Sequence, residues 1–305
     1  MKAEDILTKF GVKIVQAGYS YEQISSLCLA AEATGFDSFW VADHMYSWKR
    51  KPTDRYALES TTILSSLAAL TSRIRLGTLV ICNLFRHPAV LAKVASSIDS
   101  ISKGRLELGM GAGGPSTPAE LSGFGMAIPK RRERIERLAE AIQVVKAMWS
   151  EDIANYTGRY YKLSGVINNP KPVQKPHPRI WVGGERDDVL HVAAKYANGW
   201  NCRRYSPDAF KERVRALEAL SSKTMEKSWQ GSILLGKSES DLAEKKQRYG
   251  VEEGAIAGTC EQVIAKIQEY VNAGATYFMF HFHDDLEPGH GSLALFHERV
   301  APNFS

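Results

Sequence analysis

Asp43 and His44 stand side by side at the end of a short apolar run, 38–42. An imidazole titrates near neutrality, so His44 is a candidate acid/base, and a carboxylate beside it could orient the ring. Neighbours on a strand point to opposite faces, so the two need not touch. Two glycine clusters, Gly111-Ala112-Gly113-Gly114 and Gly183-Gly184, also follow apolar runs. Without a Cβ, glycine lets backbone amides approach phosphate oxygens; tight turns ask for the same residue. The segment Gly109–Gly114 has the GxGxxG form, but Pro115 and Pro118 follow where a dinucleotide fingerprint would open a helix. Cys82-Asn83 and Arg203-Arg204 close two further runs. The arginine pair could take a phosphate or carboxylate of a substrate bidentately. His281 and His283 lie two apart and so face one side of a strand. With Asp284 they could approach a metal, yet no third ligand has a diagnostic spacing. We expect polar, substrate-binding pocket lining and no metal. Tyr46 and Trp48 could form an aromatic wall or simply pack their loop. Lys49-Arg50-Lys51 and Lys130-Arg131-Arg132 read as solvated basic clusters, the first near the pocket mouth.

These residues need elements to hold them. Apolar, β-branched-rich runs predict strands at 12–17, 38–42, 75–82, 105–111, 179–183, 199–203, 230–235 and 276–283. Short continuous apolar runs suit parallel strands buried on both faces. Helical spacing lies between them, as in Ile135, Leu138, Ile142, Val145 and Trp149. Ser20…Gln23 and Thr259…Gln262 have capping-box spacing, and Ser206-Pro207 reads as N-cap then first helical residue. Gly35 and Gly274 stand where a left-handed C-cap is wanted. Eight strands alternating with helices predict a (β/α)8 TIM barrel, in which the strand ends named above share one catalytic face. No long linker divides the chain, so 1–305 reads as a single domain. Its largest loop insertions, 112–129 and 151–178, fall between strands four and five.

Composition narrows the partners. The charge is 39 basic against 34 acidic residues, a net +5, too weak and dispersed for nucleic acid. Cys28, Cys82, Cys202 and Cys260 are far apart with no CxxC, which fits a reducing, cytoplasmic setting. No run of 18 apolar residues exists, so no membrane span is expected.

Longer motifs carry a resemblance. Phe39-Trp40-Val41-Ala42-Asp43-His44, Leu76-Gly77-Thr78-Leu79-Val80, Arg86-His87-Pro88-Ala89 and Gly104–Gly113 resemble the bacterial luciferase-like superfamily. Tyr156–Tyr161, Pro170-Lys171-Pro172 and Ile180-Trp181-Val182-Gly183-Gly184 extend the likeness over nearly the whole chain. The branch it resembles is the F420-dependent oxidoreductases. The resemblance implies a barrel holding a deazaflavin at its mouth, hydride transfer to or from a small organic substrate, and a homodimer. It implies acid/base work for His44, cofactor contacts for Asp43, Trp48, Cys82, Gly111, Gly113, Gly183 and Gly184, and a strand-three bulge with a non-proline cis peptide at Leu79–Val80 under the ring. The matching place for the branch's catalytic glutamate is Gly114, and its substrate-phosphate lysine has no clear equivalent beside Arg203-Arg204. A reduced-FMN monooxygenase of the same superfamily is the alternative. A non-catalytic flavin barrel and a metal hydrolase built on His281 and His283 are the remaining readings.

Overall fold

The computed structural model describes residues 7–46, 56–287, 289 and 291–304. Twelve strands occur among them. In chain order they are β1 (Lys9–Ile14), β2 (Ser38–Val41), β3 (Arg75–Thr78), β4 (Ile81–Cys82), β5 (Leu106–Gly111), β6 (Ala154–Thr157), β7 (Lys162–Val166), β8 (Arg179–Gly183), β9 (Gly199–Arg203), β10 (Glu226–Gly236), β11 (Ile256–Thr259) and β12 (Tyr277–Phe282). Eight of them close a parallel barrel in the order β1-β2-β3-β5-β8-β9-β10-β12, with β12 returning to pair β1. This is the expected α/β barrel.

Its helices begin and end where local chemistry says they should. Ser20 and Gln23 form a capping box, as do Thr259 and Gln262, and Gly35 closes the first helix at φ 96°. Ser206 caps a helix whose first residue is Pro207. No helix among the described residues is long and apolar enough to cross a membrane.

Several strand limits differ from expectation, for one physical reason. The barrel interior is not uniformly apolar. At the N-terminal ends it holds Lys9, Arg75, Glu107, Arg179 and Glu226 in ion pairs. Strand one therefore runs over Lys9–Ile14 rather than 12–17, and β10 begins at Glu226 rather than 230. Above this polar layer stand Trp40, Trp181, Tyr277 and Met279. They fit because facing positions are bare: a Cβ on Gly77 would lie 2.2 Å from the Trp40 ring, and one on Gly199 would lie 2.3 Å from Trp181. Strand three splits at a cis Leu79–Val80 bond, and β4 continues it against β5. That cis bond and its site are as the resemblance implied. The insertion 151–178 contains an antiparallel hairpin, β6–β7, which the spacing of its residues did not announce.

Around the mouth, one helix cap gives a pH prediction. Glu59 caps the helix Ser60–Leu70 and pairs with Arg86. Burial works against its charge, but the N–H groups of Thr61 and Thr62, the Thr62 hydroxyl and Arg86 outweigh it, lowering its pKa from 4.5 to about 2. A depressed carboxyl pKa contributes stability that is present above the unfolded value and lost as pH falls through the folded one. The window is therefore about pH 5 down to pH 2. Because the side chain is 34% exposed, solvent screening trims the effect. Glu59→Gln should cost about 1–2 kcal/mol at neutral pH. It should also flatten that part of the acid limb in urea unfolding measured from pH 7 to 3. An unchanged acid limb would discount the cap.

Candidate active site

The C-terminal strand ends meet as expected, but not every predicted residue faces the same work. His44 follows β2, and its Nδ1 lies 2.9 Å from Oε1 of Glu120. The other Glu120 oxygen accepts the Met45 N–H at 2.8 Å. Glu120 is fully buried, in the short helix Thr117–Gly123 of the first insertion. Burial alone would raise its pKa, but the bonds from His44 and Met45 hold it below the usual carboxylate value. An ionised Glu120 only accepts, so His44 carries a proton on Nδ1 and turns Nε2 to its other side. The His44 side chain keeps a quarter of its surface exposed.

Sequence reasoning missed Glu120 and looked for a glutamate at Gly114. One signal was available, since Glu120 is the sole acidic or basic residue between 112 and 129.

Asp43 is not the partner of His44. Its carboxylate accepts from Ser60 Oγ at 2.6 Å, Cys82 N at 2.9 Å, and both terminal nitrogens of Arg86 at 2.8 and 2.9 Å. The acid lies behind the mouth and ties the end of β2 to β4 and the following helix. Cys82 is equally enclosed, and burial pushes its thiol up to about 11, so it stays protonated at neutral pH. Trp48 and Lys49-Arg50-Lys51 lie outside the described residues.

The floor of the mouth is Val80. Carried inward by the cis bond, its side chain lies over bare backbone. A Cβ on Gly111 would come within 2.5 Å of it, and one on Gly183 within 3.0 Å. These glycines are needed for clearance. Gly113 and Gly184 turn the chain at φ 84° and 136°. Gly184 spends its N–H on Asn201 and its carbonyl on Trp200, and the Gly114 N–H bonds Thr117. Beside Gly114, no heavy atom lies within 4 Å of where a Cβ would be. The result is a flat, side-chain-poor floor with an open flank.

Two strands from His44, β12 delivers His281. Tyr277 and Met279 point inward, so His281 and His283 do as well. The two rings lie 5.7 Å apart. Burial, then nearby Lys13, pushes the His281 pKa down to about 3. His283 is lowered too, first by burial. Tyr19 donates to both oxygens of Asp285 at 3.0 and 2.9 Å, and its Oη lies 3.4 Å from His281 Nε2. Arg204 pairs with Glu252, which also accepts from Ser232 at 2.9 Å. Arg203 is exposed, and its N–H bonds Glu185. Among the described residues, no three His, Cys, Asp or Glu groups are arranged to hold a metal.

Comparison with known proteins agrees with the barrel fold. The family model described as luciferase-like monooxygenase matches residues 6–228. A curated relative, the F420-dependent glucose-6-phosphate dehydrogenase of Kineococcus radiotolerans, is 27% identical over 90% of each chain. The coenzyme F420-dependent tetrahydromethanopterin reductase of Methanopyrus kandleri superposes with a TM-score of 0.81 at 20% identity, over 98% of this chain and 100% of its own. The monooxygenase RslO1 of Streptomyces bottropensis has the same TM-score at 22% identity, over 97% of this chain and 100% of its own. The two structural likenesses are of fold.

Proposed function

This chain belongs to the luciferase-like monooxygenase family, and we propose that within it the protein is an oxidoreductase moving a hydride between F420 and a small organic substrate. We read residues 1–305 as one such barrel domain, working in the cytoplasm as a homodimer; its four buried free thiols suit a reducing compartment. The observation that carries the reading is the His44–Glu120 pair at the same barrel end as the bare floor around Val80. The name of the curated relative supports F420 as the cofactor.

The residues fit a flat ring. Leu79 and Val80 would lie beneath it, His44 at its edge, and Gly111, Gly113, Gly183 and Gly184 along the backbone that borders it. Bound there, the deazaflavin would supply the hydride acceptor or donor. The chain supplies the proton chemistry. Glu120 keeps Nδ1 of His44 protonated and the ring oriented, and Nε2 would take the proton that an alcohol loses on oxidation. In the reverse direction the same nitrogen returns it.

Cofactor titration tests this. F420 carries a phosphate and a tail of glutamates, which a protein of net +5 favours at low salt. We expect F420 to bind at least about tenfold tighter than FMN by fluorescence titration, a gap of roughly 1.4 kcal/mol that narrows with salt. Tight FMN binding with no F420 binding would replace this reading with a reduced-flavin monooxygenase.

A further inference from the structure

His44 is not the only histidine at the mouth whose two nitrogens are differentiated by the fold. His281 is reachable, with 31% of its side chain exposed, while Asp285 behind it is 3% exposed. Its Nε2 faces Tyr19 Oη at 3.4 Å and Asp285 Oδ2 at 3.7 Å. The single Tyr19 proton is already directed at the Asp285 carboxylate. Tyr19 therefore has only lone pairs to offer His281, and an ionised Asp285 has only acceptors. Neither can donate to Nε2, so Nε2 must carry the hydrogen. The ring is held neutral by burial and Lys13, and a neutral imidazole protonated on Nε2 is a bare acceptor at Nδ1.

We propose that His281 is a specificity-determining residue whose Nδ1 accepts a hydrogen bond from a hydroxyl of the substrate, with Tyr19 and Asp285 setting its tautomer. The substrate class is then one that carries a second hydroxyl besides the one that loses its proton to His44. A carbonyl, phosphate dianion or carboxylate brings no proton to Nδ1. Arg204 is closed by Glu252, which also takes the Ser232 hydroxyl. Burial raises Asp285 to about 7, so the arrangement applies above that pH. Below it the carboxyl gains a proton that it can donate, and Nε2 loses its claim to the hydrogen. Among the described residues, the groups that face this pair include Lys13, His283, Glu252, Arg204, Asp284 and Tyr19.

This specificity rests on the hydride-transfer reading, but its test need not. Long-range ¹H–¹⁵N spectra of histidine-labelled full chain at pH 8 should show His281, assigned by its loss in His281→Leu, as the Nε2–H tautomer. Adding propane-1,2-diol should move its Nδ1 resonance, and adding inorganic phosphate should not. Tyr19→Phe should weaken the tautomer preference. With F420 and a diol substrate, His281→Leu should raise KM about tenfold or more with F420 affinity unchanged, and His281→Asn should recover part of it. An Nδ1–H tautomer, a response to phosphate in place of alcohol, or an unchanged KM in His281→Leu would overturn the proposal. Absence of F420 binding by the wild-type chain would defeat the hydride-transfer reading, while the spectra would still decide His281.

Discussion

His44→Ala should lower turnover by about 10²–10⁴-fold while leaving F420 affinity nearly intact. The ring is the exposed member of a pair whose other member is wholly enclosed, so it alone can reach a substrate proton. Its removal takes away the acceptor without altering the Val80 floor. Glu120→Gln gives the complementary result. The amide keeps the shape and can still accept from Nδ1, but it no longer balances the charge that His44 acquires on taking a proton. A loss of about 10–10²-fold is expected, in the range seen when an orienting partner is removed. Steady-state rates with each variant, alongside F420 fluorescence titration, separate the two roles. Full turnover in His44→Ala would transfer the acid/base role to another group, with His281 the first to test.

Asp43→Ala should cost about 3–5 kcal/mol of stability, the largest effect expected of any single change near the site. Arg86 is 14% exposed and donates two hydrogen bonds to this carboxylate, which is itself 1% exposed. Removing the acid leaves a nearly buried guanidinium with, among the described residues, the partly exposed Glu59 as its remaining ion-pair partner. It also strips acceptors from Ser60 and from the Cys82 N–H. The shift should appear in the urea midpoint, with weaker activity because the end of β2 carries His44. Replacing Asp43 and Arg86 together by Leu should cost less than Asp43→Ala alone, because no charge is then stranded. A loss under about 1 kcal/mol in Asp43→Ala would show that the carboxylate does not hold the mouth together.

The two results bear on how Asp43-His44 is read. Adjacent in sequence, they invite interpretation as a couple, although strand geometry does not require them to touch. The structure places them in separate networks. Asp43 anchors, and His44 faces the mouth with Glu120, 76 positions away. The glycine clusters divide in a similar way. Their location at β5 and β8 followed from the apolar runs before them, but the clearance that Gly111 and Gly183 provide depends on Val80 from a different strand.

What the sequence determined by itself is local. Eight apolar runs and the helical spacing between them specify alternating strands and helices, because burial of one face per element is a property of residues within a few positions of each other. Caps at Ser20, Thr259 and Ser206 are likewise reciprocal bonds across two or three residues. The motif Leu76-Gly77-Thr78-Leu79-Val80 carried the cis bond through family resemblance. Tertiary structure alone decided which charges meet. Closing β12 onto β1 brings Tyr19 to Asp285, 266 positions apart, and gives His281 its tautomer. Folding the 112–129 insertion back over the mouth buries Glu120 against His44. The physical reason is that a hydrogen bond is specified by position and direction within tenths of an ångström, whereas the pattern of apolar residues along a chain specifies only which face is buried.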